Sequence, residues 1–200
     1  MSMNNTTVVC FGDSNTWGYE PISGGRYPAK ERWVDILAAE TGCTTVNVGL
    51  NGRQIPHTEA EIKEVTDILD DVSNGKYTKP IELWILLGAN DMQMNYGFTA
   101  ERVTERMKNL LLELLWHPAV MDGSVKIRIL GPAQTKVGPW SDERQVTELR
   151  RCGLLYKLMC KELSIDYTDL GQIDIELAPD GDHFSAAGHK TVADFLAGLL

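Results

Sequence analysis

Five residues in four short polar stretches have what acyl transfer through a serine would need. Ser14 stands in VVCFGDSNTWGY (8–19), Gly52 in NVGLNGRQ (47–54) and Asn90 in LLGANDM (86–92), while Asp180 and His183 share DGDHFSAAGH (180–189). A serine hydroxyl is a poor nucleophile until a base takes its proton. His183 could be that base, because imidazole titrates near neutral pH. Asp180 lies three residues upstream on one tight turn and can reach the other ring nitrogen, where a carboxylate favours the imidazolium that forms. The oxyanion of a tetrahedral intermediate needs preorganised donors. The backbone N–H groups of Ser14 and Gly52 and the side-chain amide of Asn90 would supply three, and removing one such donor typically costs about a hundredfold to a thousandfold in rate.

Taken alone, Gly-Asp-Ser-Asn is common turn chemistry, with Asp and Ser suited to capping a following helix. The surrounding elements decide what the stretch is for. Short β-branched or apolar runs occur at 6–11, 44–48, 81–87, 125–130 and, more weakly, 165–168. Between them lie segments of helical period at 30–41, 58–72, 100–116, 142–163 and 185–200. The apolar stripes Val103, Met107, Leu110, Leu111, Leu114 and Leu115, then Leu149, Cys152, Tyr156, Met159, Cys160 and Leu163, then Val192, Phe195, Leu196 and Leu199 predict core faces. The acidic run Glu59, Glu61, Glu64, Asp67, Asp70 and Asp71 reads as a solvated helix face.

Strands alternating with helices imply βαβ units and a parallel sheet. The expected architecture is α/β: a three-layer α/β/α sandwich on a five-stranded parallel sheet, in the flavodoxin-like order 2-1-3-4-5. Such sheets bind ligands beyond the carboxyl ends of the strands, where the order reverses, here between the first and third strands. The first strand leads into Ser14 and the third into Asn90, so the two most polar strand exits are predicted to meet there.

Composition bounds the rest. Two hundred residues suit one domain, 1–200, with 43% hydrophobic and 24% charged residues. A net charge of −9 argues against nucleic acid or an anionic membrane as the main partner. No apolar run approaches the roughly 20 residues needed for membrane insertion as a spanning helix. The opening MSMNNTT has neither a charged n-region nor an apolar h-region, so a cytoplasmic location is expected. None of the four cysteines falls in a C-x-x-C pair, which leaves zinc-ribbon and thioredoxin readings without support and points to reduced structural thiols.

In order, these blocks resemble those of the SGNH hydrolases, the GDSL esterase and lipase superfamily. GDSN at 12–15 is similar to the first block, with Asn15 in place of the usual Leu; Gly52 matches the second, GAND at 88–91 the third and DGDH at 180–183 the D-x-x-H of the last. GDSNTWG looks closest to the intracellular arylesterase and acyltransferase branch. The resemblance covers the chain. It implies ester hydrolysis through an acyl-enzyme without metal or cofactor, with Ser14, His183 and Asp180 catalytic and Ser14, Gly52 and Asn90 forming the oxyanion hole. Gly49 is the other candidate for the second-block glycine; Asn51-Gly52 is favoured as a turn dipeptide beyond the strand.

Asp13 and Asp91 read as loop buttresses, Asp182 as a rival orienting acid, His189 as a packing or surface residue, and His57 and His117 have no partner motif. The expected partner is a small-molecule ester, and a homo-oligomer is possible. Candidate substrate walls are Asn15, Trp17, Met92 and Trp140, with Gln93, Met94, Asn95 and Tyr96 extending the third-strand exit. Two other classes remain in view. A metal-dependent phosphoesterase would need several His and Asp ligands together, and the chain has four histidines in all. A non-catalytic flavodoxin-like binding module would leave Ser14 dispensable.

Overall fold

The computed structural model describes residues 5–78, 80–93 and 96–200. Strands β1 (Thr7–Gly12), β4 (Thr44–Gly49), β5 (Ile81–Leu86), β6 (Val125–Leu130) and β7 (Asp166–Thr168) form one parallel sheet. Their order is β4-β1-β5-β6-β7. The strand count differs from the sequence reading because β2 (Tyr19–Glu20) and β3 (Gly25–Arg26) make a separate antiparallel hairpin between the first two sheet strands. With that hairpin set aside, the reversal falls where expected, with β1 between β4 and β5.

Alternation along the strands sorts side chains to two cores. Val9 and Phe11 of β1, Leu83 and Ile85 of β5 and Ile127 and Ile129 of β6 join α3 (Glu59–Ser73), α4 (Ala100–Leu115) and α6 (Glu143–Leu163) on one face. Val8, Cys10, Trp84, Leu86 and Leu130 join α2 (Trp33–Thr41) and α7 (Ala186–Ala197) on the other. The result is the three-layer α/β/α arrangement. The helix stripes at Val103–Leu114 and Leu149–Cys160 are buried as their spacing predicts. The last stripe is cut short: α7 ends at Ala197 and Leu199 is 39% exposed. All four cysteines are free and buried. Two short helices, α1 (Ser14–Trp17) and α5 (Pro118–Met121), complete the set named here.

Helix starts carry the expected caps. Thr58 and Glu61 form a capping box on α3, Asp142 caps α6 and Ser185 caps α7. Among the described residues no helix is long and apolar enough to cross a membrane.

At the sheet's carboxyl edge, Gly12 is in register with Gly49 on one side and Leu86 on the other. The exits of β1, β4 and β5 therefore leave the sheet side by side, and everything polar that follows them is brought to one rim.

Candidate active site

Ser14 opens α1 directly beyond β1. Asp13 caps this short helix, its side chain accepting from Asn15 N at 2.9 Å, and Gly18 closes it in the left-handed conformation. This tight exit leaves Ser14 8% exposed at the rim. The turn chemistry of GDSN and the placement of Ser14 at the rim are thus one structure.

His183 reaches Ser14 from the far end of the chain. Its Nε2 lies 2.9 Å from Ser14 Oγ, and its Nδ1 lies 2.6 Å from Asp180 Oδ2. The other oxygen, Asp180 Oδ1, accepts from the backbone N–H of His183 at 3.1 Å and of Asp182 at 3.2 Å. Burial alone would raise the Asp180 carboxyl; these hydrogen bonds outweigh it and hold the pKa below the usual carboxylate range. Asp182, the rival acid, turns away: its Oδ1 accepts from Ser141 Oγ at 3.1 Å. The Tyr19 ring covers the imidazole, with centroids 4.7 Å apart.

The second and third strand exits are locked to the first. Leu50 N donates to Gly12 O at 3.0 Å, and Arg53 Nη1 donates to Gly12 O at 2.9 Å and also to Val48 O. The Arg53 guanidinium lies 4.1 Å above the Phe11 ring. Asn90 Nδ2 donates to Arg53 O at 3.0 Å. Behind it, Asp91 is fully buried, accepting from Ile55 N at 3.1 Å and from Arg106 Nη1 at 2.8 Å. Gly52 sits in this frame at φ +73°, a conformation that favours glycine. Gly49 has a different use. A Cβ there would fall 2.2 Å from Trp17 N and 2.6 Å from Trp17 Cα, so its bare backbone is what lets α1 lie against β4.

Ser14, Tyr19, Asn51, Gly52, Asn90, Gln93, Trp140 and His183 line one cavity of about 310 Å³. Ser14, Gly52, Asn90, His183 and Trp140 are therefore brought together as the sequence reading expects. Trp140 is 54% exposed, on a loop held by the neighbouring Ser141–Asp182 bond.

Three expected walls are placed elsewhere. Met92 is fully buried among the α3, α4 and α6 side chains, because the turn Asn90–Met92 directs it inward. Trp17 is paired with Arg26, whose Nε donates to Trp17 O at 2.7 Å and whose guanidinium lies 5.0 Å from the ring. Asn15 faces the histidine loop: its Oδ1 accepts from Phe184 N at 2.9 Å and its Nδ2 donates to Asp182 O at 3.3 Å. Met94 and Asn95 lie outside the described residues.

Behind the Ser14 turn, Asp13, Asn15, Thr135 and Asp182 help line a void of about 10 Å³, about the size of one water. Burial pushes the Asp13 carboxyl up to about 7; the Asn15 N–H opposes this and the nearby Asp182 adds to it. His189 is buried between Tyr27 and Phe184, with ring centroids at 5.3 and 5.4 Å. Burial lowers its pKa to about 3, with His183 and Arg32 adding to the fall, so it packs as a neutral ring. Among the described residues, no group of three or more His, Cys, Asp or Glu side chains is arranged to hold a metal ion.

Tyr19 and Asn51 are the cavity residues that sequence reasoning passed over. Tyr19 was visible only as an aromatic two positions past Trp17, and its approach to His183 depends on the hairpin.

Residues 8–196 match the model of the GDSL-like lipase/acylhydrolase family. The chain belongs to that family. As a member it is a carboxylic ester hydrolase of the SGNH type. Its fold is shared with a candidate arylesterase from Agrobacterium tumefaciens, 27% identical over 97% of each chain at a TM-score of 0.81. It is shared too with an aryl esterase from M. smegmatis, 20% identical over 97% of each chain at a TM-score of 0.81. A carbohydrate acetylesterase from Sinorhizobium meliloti is 23% identical over 98% of this chain and 100% of its own, at a TM-score of 0.79. No protein of curated function matches in sequence.

Proposed function

We propose that this family member cleaves small carboxylic esters through an acyl-enzyme on Ser14, with His183 as base and Asp180 as its orienting acid. The observation that carries this is the continuous relay from Asp180 Oδ2 through the His183 ring to Ser14 Oγ, with steps of 2.6 and 2.9 Å. Asp180 holds the Nδ1 proton, so Nε2 presents a lone pair to the Ser14 hydroxyl. As Ser14 Oγ attacks the ester carbonyl carbon, its proton moves to Nε2. The carbonyl oxygen becomes an oxyanion facing the Ser14 N–H, the Gly52 N–H and the Asn90 amide. Collapse of the tetrahedral species breaks the bond to the alkoxy oxygen, and His183 returns the proton to the departing alcohol. A water, or a second alcohol, then attacks the acyl-enzyme by the same route in reverse.

The cavity of about 310 Å³ lies at the small end of ligand sites and has aromatic walls in Tyr19 and Trp140. That suits a short acyl group on an aryl or similarly compact alcohol, in keeping with the names of the aryl esterase and acetylesterase that share the fold. The substrate is thus expected to be a small-molecule ester.

Ser14→Ala tests the nucleophile. Hydrolysis of 4-nitrophenyl acetate should fall by at least a thousandfold, and labelling by a serine-directed phosphonate should disappear, with the melting temperature little changed. Retention of a tenth of the activity would refute the assignment. Activity lost to EDTA and restored by Mn²⁺ would point to metal-assisted hydrolysis instead.

A further inference from the structure

Asn90 can stabilise an oxyanion only if its amide faces the cavity with nitrogen and not oxygen. A planar amide fits its site almost equally well either way round, so its neighbours must choose. Two of them do. Arg53 O accepts from Asn90 Nδ2 at 3.0 Å, and Gln93 Nε2 donates to Asn90 Oδ1 at 2.9 Å. With the Asn90 amide reversed, Oδ1 would face the Arg53 carbonyl, which can only accept, and Nδ2 would face Gln93 Nε2 unless the Gln93 amide reversed with it.

Gln93 is placed for this by backbone geometry. Asn90–Met92 is a 3₁₀ turn, and Gln93 N donates to Asn90 O at 3.3 Å to close it. In such turns the side chains at i and i+3 eclipse, so Gln93 lies over Asn90. The position is anchored from the other side, where Gln93 O accepts from Tyr96 N at 2.9 Å and from Gly97 N at 3.0 Å. Gln93 also lines the cavity, so its bond to Asn90 lies at the reacting face.

We propose that Gln93 is a positioning residue for acyl transfer, fixing the Asn90 amide with an Nδ2–H directed at the developing oxyanion. Donation into Oδ1 also polarises the amide and strengthens the N–H that remains for the substrate, the cooperative effect of linked hydrogen bonds. The inference rests on the reading of Asn90 as an oxyanion donor.

A double-mutant cycle separates the two claims. The enzymes are the wild type, Asn90→Ala, Gln93→Ala and the double variant, with kcat and KM measured on 4-nitrophenyl acetate and folding checked by thermal melting. Asn90→Ala should lower kcat roughly a hundredfold to a thousandfold. Gln93→Ala should lower kcat roughly three- to tenfold, as expected for one lost hydrogen bond, with KM within about twofold. In the Asn90→Ala background the same change should have no further effect on kcat. Gln93→Glu, which cannot donate to Oδ1, should be at least as damaging as Gln93→Ala. Equal losses in both backgrounds, a change confined to KM, or a fully active Gln93→Glu would overturn the positioning role while leaving the oxyanion reading intact. An Asn90→Ala enzyme with unchanged kcat would overturn both.

Discussion

Asn15 grips the backbone on both sides of His183, and removing that grip should be felt at the active site. Its Oδ1 accepts from Phe184 N at 2.9 Å and its Nδ2 donates to Asp182 O at 3.3 Å, across 169 and 167 residues of sequence. Phe184 is fully buried and Asp182 is 8% exposed, and the void beside them has room for about one water, so solvent replaces the lost partners only in part. In Asn15→Ala the buried Phe184 N–H is left without its acceptor, at about 1–3 kcal/mol, and the longer bond to Asp182 adds about 0.5–1.5 kcal/mol. A total of about 1.5–4.5 kcal/mol corresponds to a melting temperature lower by about 3–18 °C for a chain of this size. The kinetic effect follows from geometry. The 2.9 Å approach of His183 to Ser14 depends on the two loops staying in register, and a shift of about 1 Å can cost about a hundredfold. We expect kcat on 4-nitrophenyl acetate to fall roughly ten- to a hundredfold. Asn15→Leu, which installs the residue usual in the family, should behave the same way here, since it also lacks both groups. Calorimetry and steady-state kinetics on the two variants suffice. Melting within about 2 °C of wild type together with kcat within about twofold would show that the clip does not hold the histidine loop.

Three further outcomes are expected. Asp180→Asn should keep its oxygen on the backbone N–H groups of His183 and Asp182, turning its NH₂ toward Nδ1 and forcing the tautomer that cannot accept the Ser14 proton; kcat at neutral pH should fall on the order of 10⁴-fold, and a loss under tenfold would contradict the relay. Burial raises the Asp13 pKa to about 7 in the fold, well above the ordinary carboxylate value of about 3.9, so the unfolded chain releases this proton first and the group lowers stability as pH rises from about 4 to about 7. Asp13→Asn, which can still accept from Asn15 N, should therefore be more stable than wild type at pH 8, by up to about 4 kcal/mol, with the advantage gone by pH 4; a gain that is the same at both pH values would rule out the buried carboxyl as its source. Gly49→Ala drives a methyl into the Trp17 backbone and should lower stability by about 1–3 kcal/mol and disturb turnover through α1, measurable by melting and kinetics; a silent substitution would show that the close approach is not required.

The strands and long helices were legible because each carries its period in its own residues. TTVVCF and IELWILL could only be buried strands in an alternating pattern, and the Val103–Leu114 stripe could only be a helix face. The chemistry was legible in types and order: serine, glycine, asparagine and the Asp-x-x-His turn, each just beyond a strand or before the last helix. What failed was the assignment of Asn15, Trp17 and Met92 to the cavity wall. Nearness in sequence to Ser14 or Asn90 does not give direction. One turn of 3₁₀ helix sends Met92 into the core and Gln93 over Asn90, and α1 sends Asn15 toward the histidine loop.

By itself the sequence determined the layered α/β fold, the switch point where a site must lie and the residue types able to perform acyl transfer, because these follow from local periodicity and from side-chain chemistry. The choices of Asp180 over Asp182 and of Gly52 over Gly49 were already favoured by the D-x-x-H spacing and the Asn51-Gly52 dipeptide, but the placement of Asp180 on His183 Nδ1, of Gly52 in the cavity wall and of Tyr19 over His183 is visible only in the tertiary structure. Each of those placements turns on a contact of a few ångströms between segments distant in the chain, or on the direction in which a turn points one side chain. Such distances are set by the packing of the whole sheet and its helices, and no short stretch of residues encodes them.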